Sequence, residues 1–239
     1  MADAPQAPPN LSTPTAPTYN DPDSHDFLAV GGPGMFFSFD GVDGAGKSTQ
    51  TDLFAQWLRD EGHDLVFCRD PGSTPCGEAI RRLLLDHPEM NIHPRTEMLL
   101  YMAARAQLVE EVIRPAIEAG RTVLSDRYLL ANLAYQGHAG GLDLESVRTV
   151  GQICTGGLMP DLTIVLDLSP EAAYARLGRE LDRMEAKGLA FMRQVREGFL
   201  AEAEVLPNVL VVDATQSVDE IQATIRAAAA SRIQELQAP

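Results

Sequence analysis

The chain has 239 residues, with 19 basic against 34 acidic side chains and a formal net charge of −15. That length suits one large domain or two small ones, and an apolar content of 45% is ordinary for a protein with a sizeable core. The acidic balance argues against a nucleic-acid polymer as partner, because duplex binding needs a basic face that displaces counterions.

Residues 1–34 differ from the rest. They are rich in Pro, Ala, Ser and Thr and hold no Lys or Arg. Such a segment cannot bury enough apolar surface to offset its ordering entropy, so it reads as a disordered tail, with a binding role as the open alternative. Gly31-Gly32-Pro33-Gly34 is the expected hinge into a domain over 35–239.

From Met35 onward strands and helices alternate. MFFSFD reads as a buried strand, and Ser48 to Glu61 has helical apolar spacing at Leu53, Phe54, Trp57 and Leu58, with Gly62 placed to stop it. LVFC (65–68) is a short second strand. GEAIRRLLLD and TEMLLYMAARAQLVEEVI read as helices, the latter kinked or restarted at Pro115 and ended by Gly120. RTVLSDRY is a strand with a polar end. LTIVLDL (162–168) and NVLVVDA (208–214) are continuous apolar runs, as in parallel strands buried on both faces. A last helix runs from Val218 to Leu236. The β-then-α order implies an α/β domain with a parallel sheet covered by helices.

The first strand leads into Gly41-Val42-Asp43-Gly44-Ala45-Gly46-Lys47-Ser48, which fits G-x-x-x-x-G-K-[ST] in the strand–loop–helix setting that gives the motif its meaning. Glycines let backbone N–H groups turn toward phosphate oxygens, and the helix N-terminus adds partial positive charge. Lys47 should reach the β- and γ-phosphates, and Ser48 should ligate Mg²⁺. The nucleotide-binding set is Gly41 to Lys47 with Ser48 and Thr49. Asp43 would repel phosphates unless Mg²⁺ or a substrate hydroxyl compensates.

Arginines recur at the C-terminal ends of strands, where open α/β sheets bind ligands. Arg69 precedes Asp70-Pro71-Gly72-Ser73-Thr74, with Arg81 and Arg82 on the next helix. Asp126-Arg127-Tyr128 follows the third strand, and Arg176, Arg179 and Arg183 lie further on. In an acidic chain these suggest a second phosphate-bearing ligand, although each alone reads equally as a surface ion pair. Tyr101 and Arg105 share one helix face. They could stack on and bond a flat base, or be a core tyrosine with a capping arginine. Asn132 and Tyr135 are equally ambiguous by spacing.

Taken together, FDGVDGAGKSTQ, RDPGSTPCGEAIRRLLL, MLLYMAARAQLVEEVIRPAIEAG, VLSDRYLLANLAYQG, PDLTIVLDLSPEAAYAR and ELDRMEAKGLAFMRQVREGFL resemble the thymidylate kinase family. They run in family order over about residues 36–213. The resemblance implies a three-layer P-loop NTPase fold with a five-stranded parallel sheet and a short lid over about 176–188. It also implies transfer of the γ-phosphate of ATP to dTMP, with Mg²⁺ held through Ser48, Asp43 and Asp126, and a homodimer. On the family pattern Tyr101 stacks on thymine and Arg105 donates to its O4. Arg127 holds the dTMP phosphate with help from Arg81. Asn132 and Gln136 belong to the substrate set, Tyr135 closes the space of a ribose 2′-OH, and Asp43 lies near Mg²⁺ and the 3′-OH. One branch of the family carries an Arg where this chain has Ala45. Here the catalytic arginines are therefore expected in the lid, at Arg176, Arg179 and Arg183, beside Lys47, Arg127 and Asp43. The loop after the last strand, Asp213 to Ser217, is the expected adenine contact.

Two departures from the family pattern stand out: Ser73 replaces a glycine, and Asp40 stands where Glu is common. The competing readings are a kinase for UMP, CMP or a deoxynucleoside, and an ATP-binding switch without turnover. Cys68, Cys76 and Cys154 form neither a zinc pattern nor a redox pair and fit a reducing cytoplasm. No apolar run approaches the roughly 18 residues of a bilayer span. The N-terminus has no basic region followed by an apolar one, so neither a membrane nor a signal peptide is expected.

Overall fold

The computed structural model describes residues 34–87, 89–178 and 181–238. The expected tail, apart from Gly34, and the lid candidate Arg179 lie outside the described residues. In chain order the elements begin β1 (Phe36–Asp40), α1 (Lys47–Asp60), β2 (Leu65–Arg69), α2 (Pro75–Leu85), α3 (Pro94–Leu108) and α4 (Arg114–Glu118). They continue β3 (Thr122–Asp126), α5 (Leu129–Asn132), α6 (Leu144–Thr155), β4 (Leu162–Asp167) and α7 (Pro170–Arg176), then α8 (Leu189–Val205), β5 (Val209–Asp213) and α9 (Val218–Gln237).

The sheet has five parallel strands in the order β2-β3-β1-β4-β5. The middle strand β1 is buried along its whole length, whereas edge strand β2 alternates between buried and half-buried residues. Side chains of a strand point to opposite faces in turn, so the run of phenylalanines in β1 supplies two cores. Phe37 and Phe39 meet Phe54 of α1 edge-on, with ring centroids 5.3 and 5.6 Å apart. Phe36 meets Tyr128 edge-on at 4.9 Å within the second core, which includes residues of α3 and α6.

Helix starts follow local chemistry. The Thr74, Asp143 and Ser169 side chains accept backbone N–H groups at the heads of α2, α6 and α7. Ser217 and Glu220 form a reciprocal capping box on α9. Pro115 does restart its helix, but through a π turn at Val109–Ile113 rather than a break. Proline offers no N–H to the preceding turn, and the wider turn absorbs the mismatch. A second π turn, Leu133–His138, extends α5 and carries Tyr135 and Gln136.

Candidate active site

The phosphate loop stands between β1 and α1 with glycines where side chains would not fit. A Cβ on Gly41 would lie 2.5 Å from the Leu166 carbonyl oxygen, and one on Gly44 would lie 2.4 Å from that of Ala173. Both glycines have positive φ, so the tight loop requires them sterically as well as conformationally. Lys47 Nζ folds back over the loop and donates to the carbonyls of Gly41 and Val42, each at 3.1 Å, and to Asp43 Oδ1 at 3.0 Å. Ser48 and Thr49 are exposed on the first turn of α1.

Arg127 Nη2 donates to the same Asp43 oxygen at 2.8 Å. The charge of Asp43, for which the sequence predicts a metal or a hydroxyl, is met here by two cations of the protein itself. Burial pushes its pKa up, but Lys47 and Arg127 outweigh that and hold the carboxyl well below the usual range. Arg127 has a left-handed backbone, with φ of 72°. That uncommon conformation is tied down by its N–H on the Phe39 carbonyl and by Ser125 Oγ donating to its own carbonyl. Its guanidinium lies 5.3 Å from the centroid of the Tyr135 ring, and its Nη1 is buried without a hydrogen-bond partner among the described residues.

Beside the loop opens a cleft whose walls include Asp43, Arg81, Tyr101, Arg105, Asp126, Arg127, Asn132, Tyr135 and Gln136. Every residue of the expected substrate set lies on it. The Tyr101–Arg105 pair faces the cleft, but Arg105 also has a structural role. Its Nε donates to Asp70 Oδ2 at 2.5 Å and its Nη2 to the Tyr128 carbonyl at 3.2 Å, and the side chain is almost wholly buried. Tyr135 packs against Phe191 and Phe199 of α8. Arg81 donates to the Pro71 carbonyl, and burial together with the neighbouring Arg69 lowers its pKa. Several buried polar atoms among the residues of this wall have no hydrogen-bond partner among the described residues: Asp70 Oδ1, Asp126 Oδ1, Arg127 Nη1 and Asn132 Oδ1. Buried polar atoms are rarely left unpaired unless something else binds them.

The cleft also uses residues that the sequence reading noticed without assigning, or missed. Arg69 and Asp70 line it, Asp182 and Met184 of the lid reach it, and Glu97 stands behind it. Arg69 was visible as a basic residue at a strand end. Glu97 gave no signal, because one glutamate in an amphipathic helix looks like surface charge.

Of the expected lid arginines, the two among the described residues, Arg176 and Arg183, do not bond to the phosphate loop. Arg183 Nε donates to the Leu84 carbonyl at 2.5 Å and its Nη2 to Glu97 Oε2 at 2.6 Å, clasping the ends of α2 and α3. Arg176 points to the Ala214 carbonyl at 3.4 Å, beside the loop expected to hold adenine. The acidic groups gathered near the loop also differ from the expected metal set. Asp43, Asp182 and Glu185 bring carboxylate oxygens within 4.8 Å of one another.

The thymidylate kinase family model matches residues 39–225. The chain belongs to the thymidylate kinase family. It is 48% identical over 194 residues to the thymidylate kinase of Symbiobacterium thermophilum, covering 80% of this chain and 91% of that one. With the Deinococcus radiodurans thymidylate kinase it shares 47% identity over 202 residues, 83% of this chain and 98% of the relative. With that of Rhodopirellula baltica it shares 43% over 199 residues, 82% and 80% of the two chains. The family is one of phosphotransferases, and the parallel sheet with its P-loop is the fold expected of it. Among the described residues no helix is long and apolar enough to cross a membrane.

Proposed function

We propose that the chain transfers the γ-phosphate of ATP to dTMP, giving dTDP and ADP. One observation carries the reading: a phosphate loop and a second, arginine-lined cleft meet at Asp43 and Arg127. Two polyanions can then be held with the acceptor phosphate beside the donor. The acceptor is itself the nucleophile and largely ionised near neutral pH, so the site needs positioning and charge stabilisation rather than a strong base.

In this reading the backbone amides of Gly41 to Lys47 cradle the ATP phosphates, and Lys47 exchanges its loop carbonyls for phosphate oxygens. Arg127, with its free buried Nη1, binds the dTMP phosphate together with Arg81. Tyr101 stacks on the base, while Arg105, Asn132 and Gln136 read its edge. Tyr135 fills the space next to C2′ and disfavours ribonucleotides. Ser48, Asp43 and Asp126 would hold Mg²⁺, and the unpartnered buried Oδ1 of Asp126 suits that group. The ion would offset charge on the transferring phosphoryl group. Arg179, with Arg176 or Arg183, supplies charge from the lid, and closure keeps water from the γ-phosphate.

The partner beyond the two nucleotides is a second copy of the chain. Leu99 of α3 and Ile153 of α6, 48% and 75% exposed, lie on helices that pack against each other. They offer an apolar face for a homodimer in the cytoplasm, which sedimentation would detect.

The test is ADP release with dTMP, dUMP, UMP, CMP and thymidine as acceptors. The highest kcat/KM is expected for dTMP. Greater activity on thymidine or UMP overturns the assignment, and ATP binding without turnover on any acceptor turns it into a switch.

A further inference from the structure

Near the end of α8, Glu202 is 2% exposed and holds a donor on each carboxylate oxygen. Arg148 Nη2 of α6 donates to Oε2 at 2.5 Å. His138 Nε2 lies 2.9 Å from Oε1. A carboxylate oxygen accepts, so the imidazole form that carries its hydrogen on Nε2 is the one that bonds here. The three side chains come from α6, α8 and the π turn between α5 and α6, and they stand outside the cleft. The proposed reaction gives none of them a task.

His138 is the last residue of the π turn Leu133–His138, and Tyr135 stands in the middle of that turn. A π turn is a rare variant of the helix, so contacts outside it have to hold it. α8 supplies them. Gly198 lets the two backbones approach so closely that a Cβ there would lie 2.8 Å from His138 Cβ and 3.0 Å from Ala134 Cα. Phe191 and Phe199 pack on the Tyr135 ring. Apolar packing has no preferred direction and would let the turn roll along α8. The bond from His138 to Glu202 does have a direction, and Arg148 keeps the carboxylate from swinging with it.

We propose that Glu202 is a positioning residue for sugar discrimination: with His138 and Arg148 it locks the π turn onto α8 and so sets where the Tyr135 ring stands in the cleft. A ribonucleotide differs from its deoxy counterpart by one oxygen atom, so a small retreat of the ring would admit it. The lock is separable from stability, because a buried ion pair contributes little more than a well-packed apolar side chain of similar volume. His138 and Arg148 are 26% and 29% exposed, which leaves both in reach of water if their partner is removed. The proposal rests on the reading of Tyr135 as the group next to C2′.

The experiment compares kcat/KM for dTMP with kcat/KM for ribothymidine 5′-monophosphate, which has the same base and one more hydroxyl. The chains are the wild type, Glu202→Leu, His138→Ala and Tyr135→Ala, each with a thermal melt. Glu202→Leu and His138→Ala should each lower the deoxy-to-ribo ratio about tenfold. His138→Ala cuts the same link at a partly exposed residue and reports on it even if Glu202→Leu folds poorly. A lower melting temperature or a loss of activity on both substrates, with the ratio unchanged, marks a purely structural role and overturns the proposal. If Tyr135→Ala also leaves the ratio unchanged, the sugar reading of Tyr135 fails, and the proposal with it. A ratio that responds to Tyr135→Ala but to neither Glu202→Leu nor His138→Ala overturns the positioning role alone.

Discussion

The phosphate loop and the lid perform complementary tasks with opposite construction. In the loop, Lys47 reaches partners within six residues of itself, at Gly41, Val42 and Asp43. In the lid, Arg183 and Lys187 bond groups separated from them by 86 to 99 residues, on α2 and α3. A site made of sequence neighbours is carried by local backbone geometry. A site made of distant neighbours exists only when the helices beneath it are packed. The lid should therefore be the more sensitive of the two to changes elsewhere in the fold, and the loop the more sensitive to single changes within itself.

The largest effect is expected on the loop side. Lys47→Met should lower turnover on the order of 10²–10³-fold, since a preorganised donor to the transferring phosphoryl group is lost. Circular dichroism melts should hardly change, and a large loss of stability would contradict the local character of the loop. On the lid side two arginines separate the alternatives. Arg179→Ala should reduce kcat by about a hundredfold with little change in dTMP affinity. Arg183→Ala should act mainly on KM, because its guanidinium is bound to the Leu84 carbonyl and Glu97. A kcat loss at constant KM for Arg183→Ala would give that residue the catalytic role instead.

A pH experiment sharpens the loop side. Asp40, fully buried at the end of β1, has no hydrogen-bond partner among the described residues for either carboxylate oxygen. Burial pushes its pKa from 3.8 to about 7, against the pull of Arg127 and Lys47. The folded state thus prefers the neutral acid. Its contribution is fully present below the unfolded pKa and is lost as pH rises through the folded one. Asp40→Asn should accordingly gain stability relative to the wild type as pH rises from about 4 to about 7, then level off. Urea midpoints across that range provide the measurement, and a flat difference would mean Asp40 is ionised throughout.

The smallest effect is expected at Ser73, which adopts a left-handed conformation, with φ of 61°. Its Oγ accepts the Arg69 N–H and its own N–H donates to Glu78 Oε1, both at 2.9 Å. Ser73→Gly relieves about 1 kcal/mol of backbone strain but removes the Oγ bond, worth about the same. Stability should change by less than about 1 kcal/mol, with the dTMP KM unaffected.

Much of the site was legible because its parts carry strong local signals. The glycine loop with Lys47 follows a steric rule, and Asp126-Arg127-Tyr128 sits at the end of an apolar strand. Arg81, Tyr101, Asn132, Tyr135 and Gln136 were assigned through the family pattern, and all of them line one cleft. The π turns at Val109–Ile113 and Leu133–His138 were not legible. Their hydrogen bonds span one residue more than those of an α-helix, and packing, rather than propensity, selects them.

The amino-acid sequence by itself determined the α/β order, the phosphate loop, the breaks at Gly62 and Gly120, and the family. Each depends on residues close together in the chain, where sterics and periodicity act without the rest of the molecule. Only the tertiary structure decided that Lys47 and Arg127 jointly neutralise Asp43, that Arg183 clasps α3 rather than the loop, and that Glu97 is buried against Gln136, Arg183 and Lys187. Those outcomes follow from charges brought together across dozens of residues in a place with little water, where a carboxylate must be paired and so dictates what its neighbours present.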